Sequence, residues 1–299
     1  MKKFIIITDS CADLDKEKRE RYDIEYLPMR VLYDDHDIPA SLDWKYISYK
    51  AFYELMRNGK RFKTAQVNAS EYKETFEKYI KEGYDILSIS CSSALSSSFH
   101  ASEVVRDELK AKYPEAKIYC VDSRNSSLGL GIICMTASKL RANGVDIEDT
   151  YNYIENHKQE VNQLVTVESL SYLKRAGRVS TMSAVFGGML QVKPIIISDI
   201  NGQNTAVEKI KGRKNSFTRI VQMFNERYQE NKNQMICVVN SDCEEDAKTL
   251  RDMILEANKD KNLEITIEKI GPIVGASTGP GTVGVFFFGK PETFDSNKK

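Results

Sequence analysis

Apolar residues along this chain fall in short unbroken blocks, separated by longer stretches in which apolar and charged positions recur at helical spacing. Phe4-Ile5-Ile6-Ile7, Asp85-Ile86-Leu87-Ser88-Ile89-Ser90-Cys91 and Ile118-Tyr119-Cys120-Val121 are too short for buried helices, so they predict strands covered on both faces. Between and around them the pattern predicts helices at Asp13 to Tyr22, Tyr46 to Asn58, Ser70 to Glu82 and about His100 to Lys112. In the third of these, Tyr72, Phe76, Tyr79 and Ile80 share one face. A further helix from about Gly129 to Ala142 stops at Asn143-Gly144. Alternation of this kind predicts a parallel sheet with helices on both sides.

The pattern changes near Asn156 to Leu164. Lys193 to Ile200, Asn201-Gly202 and Thr205 to Ile210 read as strand, tight turn and returning strand. Helices at Ser216 to Glu230 and Glu244 to Ala257 alternate with strands at Met235 to Val239 and Ile265 to Ile267, and Val283 to Phe288 is the last strand. At 299 residues the chain exceeds the usual size of one core. The expected architecture is α/β in two domains, a parallel-sheet domain over 1–160 and a smaller mixed-sheet α+β domain over 161–299.

Each of the three N-terminal strands runs out into hydroxyls. Thr8-Asp9-Ser10 follows the first, Ser92, Ser93, Ser96, Ser97 and Ser98 follow the second, and Asp122-Ser123 with Ser126-Ser127 follow the third. Ligands of open parallel sheets bind beyond the carboxyl ends of the strands, where helix N-termini aim N–H groups outward. Any one such cluster is explained by capping of the helix that follows. Three at one sheet edge point towards a site for a polar or anionic ligand.

Composition narrows the class. The chain carries 43 basic and 43 acidic side chains and no basic block, so nucleic acid and anionic membrane surfaces are not the expected partners. Lys2-Lys3 before Phe4 imitates the start of a signal peptide, but the apolar run is only four residues long and reads as a strand. With no apolar segment of membrane-spanning length, the expectation is a soluble, cytoplasmic protein. The six cysteines (Cys11, Cys91, Cys120, Cys134, Cys237 and Cys243) show no metal-ligand spacing and read as buried reduced thiols.

Two motifs bear on catalysis. Gly275-Ala276-Ser277-Thr278-Gly279 fits the G-x-S-x-G nucleophile elbow, but Pro280-Gly281 and a strand follow it, and no histidine lies downstream of it among His36, His100 and His157. Gly279, Gly281 and Gly284 match G-x-G-x-x-G, again with a strand where a dinucleotide fold needs a helix. A hydroxyl-rich site without a base binds better than it reacts. The competing reading is a lipid-directed serine hydrolase or acyltransferase using Ser277 or Ser96. Flanking glycines and Pro280 suggest a tight loop at Ser277 whose backbone N–H groups approach an anion. Trp44, the single tryptophan, reads as a packing residue.

The residues also carry a resemblance that covers nearly the whole chain. Thr8-Asp9-Ser10, Leu27-Pro28, Thr64-Ala65-Gln66, Ser92 to Phe99, Val121-Asp122-Ser123 with Gly129 and Gly131, Tyr172-Leu173-Lys174-Arg175-Ala176-Gly177-Arg178-Val179-Ser180, Lys193-Pro194 and Gly271-Pro272 through Gly284 follow one another in that order. Together they resemble the DegV family, a bacterial fatty-acid-binding group. The resemblance implies a non-catalytic carrier without a cofactor, enclosing one long-chain fatty acid between its two domains. It also implies a fatty-acid kinase as partner, which phosphorylates the bound carboxylate. Thr64 and Ser96 match the positions that hold that carboxylate, with Ser93 as a third donor. Three positions depart from the family pattern: Ala65 stands for Ser or Thr, Ser97 for Gly, and Ser277 for the His of many members, which removes a cation beside the head group and leaves a neutral hydroxyl. Arg178 and Arg213 resemble basic residues near the entrance and are expected to meet the kinase, against the plainer reading of solvated arginines.

Overall fold

The unbroken apolar blocks become fully buried strands, and the amphipathic stretches become helices laid against them. The computed structural model describes residues 3–179 and 191–298. Its first half runs β1 (Phe4–Asp9), α1 (Lys16–Tyr22), β2 (Ile24–Leu27), β3 (Arg30–Tyr33), β4 (His36–Pro39), α2 (Tyr49–Arg57), β5 (Lys63–Ala65), α3 (Ala69–Lys81), β6 (Asp85–Ser90), α4 (Ser98–Lys112), β7 (Ile118–Asp122), α5 (Ser127–Ala142) and α6 (Ile147–His157). The second half runs β8 (Val161–Thr166), α7 (Leu170–Ala176), β9 (Val192–Ser198), β10 (Asn204–Lys211), α8 (Arg213–Arg227), β11 (Ile236–Asn240), α9 (Glu244–Ala257), β12 (Ile265–Lys269), α10 (Pro272–Thr278) and β13 (Val283–Phe288).

Strands β2-β1-β6-β7 form a parallel sheet, with α3 touching α4 along one side and α1 and α6 both touching α5 along the other. Strands β10-β9-β8-β13-β11-β12 form a mixed sheet, antiparallel except for the β11–β12 pair. This second sheet has six strands against four, although its half of the chain is the shorter. A small antiparallel sheet, β4-β3-β5, stands beside the first, and the sequence pattern did not suggest it. Its strands are three or four residues long and partly exposed, too short for a period-two signal to register. Strand β8 was hidden for a different reason. Asn162, Gln163 and Thr166 give it a polar look, yet all six of its residues are buried, because it lies inside the mixed sheet.

Helix α5 joins the halves. Twelve of its residues, Ser127 through Ser138, are buried, and it touches β1, β2 and β6 of the parallel sheet as well as β8 and β13 of the mixed sheet. A helix apolar on all sides is stable only in such a position. A Cβ on Gly131 would lie 2.9 Å from the Ala12 carbonyl oxygen, so glycine lets α5 approach the turn after β1. One face of the mixed sheet, with Val165, Ile196, Val239 and Phe286, belongs to the core shared with the N-terminal half. The other, with Leu164, Ile197 and Phe287, packs under α8 and α9 through Phe217, Phe224 and Leu250.

Two carboxyls are buried where β1 meets α5. Asp9 accepts the Cys11 N–H at 2.9 Å and the Cys91 N–H at 2.8 Å, and Asp13 accepts the Ser127 hydroxyl at 2.6 Å. The Gly271 N–H leans on the Asp13 carboxyl without closing a well-formed bond, and a Cβ there would sit 2.4 Å from Asp13 Oδ1. Burial outweighs these donors and pushes Asp9 up to about 6 and Asp13 up to about 7. Between pH about 4 and 7 the folded protein therefore holds protons that the unfolded chain has lost, and stability falls as pH rises through this window. Melting temperature is expected to drop from pH 5 to pH 8, and Asp13→Asn to flatten the drop. An equal slope in wild type and variant, read by thermal melts in matched buffers, contradicts this.

Candidate functional site

The carboxyl ends of β1, β6 and β7 lie side by side, as three hydroxyl clusters at one edge require, and several of those hydroxyls are engaged by other groups of the protein. The Ser93 hydroxyl donates to Asp122 Oδ2 at 2.6 Å and its N–H to Oδ1 at 3.1 Å. The Ser92 hydroxyl donates to the Gly202 carbonyl at 2.8 Å, and that of Ser123 to the Asn125 carbonyl at 3.1 Å. Loop closure, rather than helix capping, accounts for these residues. Ser93, expected as a third ligand donor, is held by Asp122 and lies outside the cavity wall described next.

Three neighbouring spaces share wall residues, the middle one lying against this edge. The outermost, a vestibule of about 440 Å³, is rimmed by Lys60, Arg61, Lys63, Arg175 and Arg178 and walled by Met56, Phe62 and Tyr172. Lys60 pairs with Asp34 at 2.7 Å, and the Arg175 guanidinium lies 4.6 Å above the Tyr172 ring. Thr64, Ser277 and Arg178 also border the second space, a neck of about 50 Å³ that includes Ser96, Ser126, Cys11, Cys91 and Met29. Ser126, Asn204, Val274 and Thr278 in turn border the third, an inner chamber of about 30 Å³ walled by Val165, Leu173, Ile196, Val239, Phe286 and Gln163. The vestibule thus has a cationic rim, the neck gathers Thr64, Ser96 and Ser277, and the chamber mixes the apolar side chains of the mixed sheet with Gln163, Asn204, Ser127 and Thr282.

Local structure explains how the neck is assembled. Thr64 pairs with Val31 at the edge of the small sheet, against which α10 packs, and this sets Ser277 across from it. Ser96 lies in the loop after β6, where its oxygen accepts the Ser98 N–H at 3.2 Å and sits 3.0 Å from the Ser98 hydroxyl. The tight loop expected at Ser277 is not found. Ser277 occupies the last turn of α10, where its hydroxyl points back to the Ile273 carbonyl at 3.5 Å and helical backbone N–H groups are already engaged. Its glycines serve packing: a Cβ on Gly275 would lie 2.3 Å from Tyr53 Oη.

Thr64, Ser96, Ser277 and Arg178 therefore meet at one cavity. Arg213, expected near the entrance with Arg178, lies elsewhere. Its Nε and Nη2 bond Asp246 at 3.0 and 2.8 Å, and Nη2 also donates to the Gly281 carbonyl at 2.7 Å, which anchors α8 to α9. Arg178 is exposed and donates to the Leu95 and Ala176 carbonyls at 3.3 and 2.5 Å. Ser180 of the same motif lies outside the described residues. Neither Ser96 nor Ser277 hydrogen-bonds a histidine or carboxylate among the described residues; His100 faces Glu103 and His157 the Tyr153 carbonyl. The described residues contain no group of three side chains able to hold a metal ion. Trp44 packs against Tyr49, Phe52 and Tyr53, as a structural residue.

Sequence reasoning missed Lys60, Arg61, Lys63 and Arg175 at the rim, although Lys60-Arg61-Phe62-Lys63 is a visible basic run with an aromatic inside it. It also missed Gln163 and Asn204 as cavity residues, since nothing in a lone polar residue marks it before the strand carrying it is placed, whereas Ser126 belongs to the third strand-end hydroxyl cluster. Among the described residues no helix is long and apolar enough to cross a membrane.

Comparison with known proteins agrees with this architecture. The model of the uncharacterised DegV family matches residues 3–290. A DegV domain-containing protein of Clostridium perfringens is 39% identical over 97% of this chain and 98% of its own length. DegV from Bacillus subtilis, described as a fatty acid binding protein, superposes with a TM-score of 0.82 at 25% identity, covering 97% of this chain and 100% of that one. A stearic acid-binding protein from Eubacterium ventriosum shares the fold at a TM-score of 0.85 and 20% identity, with 96% and 98% of the two chains covered. With its family model matched almost end to end and a relative so similar over the full length of both chains, this chain belongs to the DegV family.

Proposed function

We propose that this protein binds one long-chain fatty acid between a parallel-sheet domain, 1–160, and a mixed-sheet domain, 161–299, with the carboxylate in the neck and the tail in the inner chamber. The observation that carries the reading is the convergence of Thr64, Ser96 and Ser277 at a neck that shares wall residues with a cationic vestibule on one side and, on the other, with a chamber to which Val165, Ile196, Val239 and Phe286 contribute. Membership of the family supports it, as does the fatty acid binding described for the Bacillus subtilis relative. Thr64 and Ser96 donate to the carboxylate, and Ser277 adds a neutral hydroxyl from α10. A hydroxyl bond to a carboxylate contributes about 1.5–3 kcal/mol. Each buried methylene contributes about 0.8 kcal/mol, so ten of them outweigh two hydroxyls. Part of that gain offsets widening, because neck and chamber are each of the order of one or two waters in volume and a seated chain must spread their walls.

The protein presents this carboxylate rather than transforming it, since among the described residues neither Ser96 nor Ser277 hydrogen-bonds a base. A fatty-acid kinase is the partner, approaching over the vestibule, where Arg61, Lys63, Arg175 and Arg178 offer positive charge to its phosphates.

Protein purified from bacteria is expected to release about one long-chain fatty acid per chain into organic solvent, weighed by mass spectrometry. An empty protein that also ignores added palmitate and oleate contradicts the reading. Thr64→Ala and Ser96→Ala are each expected to weaken palmitate binding by about 1–3 kcal/mol while leaving the melting temperature nearly unchanged. Competition against a fluorescent acyl probe measures this, and equal affinities in wild type and the double variant remove both residues from the site.

A further inference from the structure

Among the polar groups in the wall of the inner chamber, where a fatty-acid tail would lie, one amide keeps an unpaired oxygen. Gln163 stands on β8 beside Phe286 of β13 and two residues from Val165, all three lining the inner chamber. It is only 5% exposed. Its Nε2 donates to Asn204 Oδ1 at 3.0 Å, which fixes the amide and leaves Oε1 buried with no hydrogen-bond partner. Leaving such an oxygen unpaired is costly, and native interiors rarely keep one without use. A plain saturated tail laid across Gln163 presses methylenes onto this oxygen and keeps it unpaired. A tail with a hydroxyl at that depth donates to it and loses nothing on leaving water.

Building on the fatty-acid reading above, we propose that Gln163, held by Asn204, selects acyl chains bearing a hydroxyl well away from the carboxylate, so that hydroxylated long-chain fatty acids are preferred ligands. The hydroxyl is both donor and acceptor, so it matches the amide whichever of its ends meets the chain. The carboxylate stays with Thr64 and Ser96 in the neck. A hydroxyl close to the carboxylate therefore remains in the neck and gains nothing from Gln163.

The test compares stearate with 3-, 10- and 12-hydroxystearate by competition against one fluorescent acyl probe, in wild type, Gln163→Leu and Gln163→Met. In wild type, 10- or 12-hydroxystearate is expected to bind from a few-fold to about tenfold tighter than stearate, the worth of one neutral hydrogen bond, with 3-hydroxystearate no better than stearate. In both variants the order is expected to reverse, with stearate the tighter. Wild-type protein that binds stearate as tightly as every hydroxylated isomer overturns the proposal while leaving the fatty-acid reading in place, and so does a preference that survives in both variants. The wild-type comparison decides even if a variant fails to fold. If none of the four acids binds, the fatty-acid reading itself falls, and this inference with it.

Discussion

Burial of α5 between two sheets sets the geometry on which the rest of the molecule depends. The helix offers apolar side chains to both sheets at once, so neither half can complete its core without the other. Its N-terminus, at Ser126 and Ser127, is consequently fixed where the parallel strands end. Ser127 reaches Asp13, Asp13 lies against Gly271, and Gly271 starts α10, which carries Ser277 to the neck. One buried helix thus places groups from both halves around the same opening.

That opening is made by subtraction. Hydroxyls and carboxylates are plentiful at the ends of β1, β6 and β7, but low polarity around them forces nearly every one to find a partner. Asp9, Ser92, Ser93, Asp122 and Ser123 find theirs in neighbouring loops and hold the strand ends together. The groups left at the neck are those that a second element brings in, Thr64 from the small sheet and Ser277 from α10, together with Ser96. The apolar part of the inner wall comes mainly from the mixed sheet, through Val165, Ile196, Val239 and Phe286.

Much of this was legible in the sequence where burial is complete on both sides. β1, β6, most of β7 and α5 follow from apolar runs because their side chains meet almost only protein, and the half-buried β10 follows from the Asn201-Gly202 turn signal. Short or polar elements were not legible. β5 has three residues, and β8 hides Gln163 and Asn162 within the mixed sheet. Thr64, from family resemblance, and Ser96, from the resemblance and the strand-end hydroxyl cluster, meet at one cavity, whereas Ser93 and Arg213 lie outside its wall. Each carries a suitable group, but a neighbouring carboxylate, Asp122 or Asp246, occupies it. At Ser277 the run of glycines suggested a loop. Close packing on Tyr53 explains Gly275 within a helix instead, and the positive φ of Gly279 and Gly281 places the turn after that helix rather than at Ser277.

The central claim is that a carboxylate sits in the hydroxyl neck with its chain directed inward between the two sheets. A crystal structure of the protein with bound palmitate tests it most directly. The account predicts carboxylate oxygens within hydrogen-bond distance of Thr64 Oγ1 and Ser96 Oγ, and a chain running past Thr278 and Val274 towards Phe286. A palmitate lying in the reverse direction, with its carboxylate on Arg175 or Arg178 and the neck left unused, would contradict it.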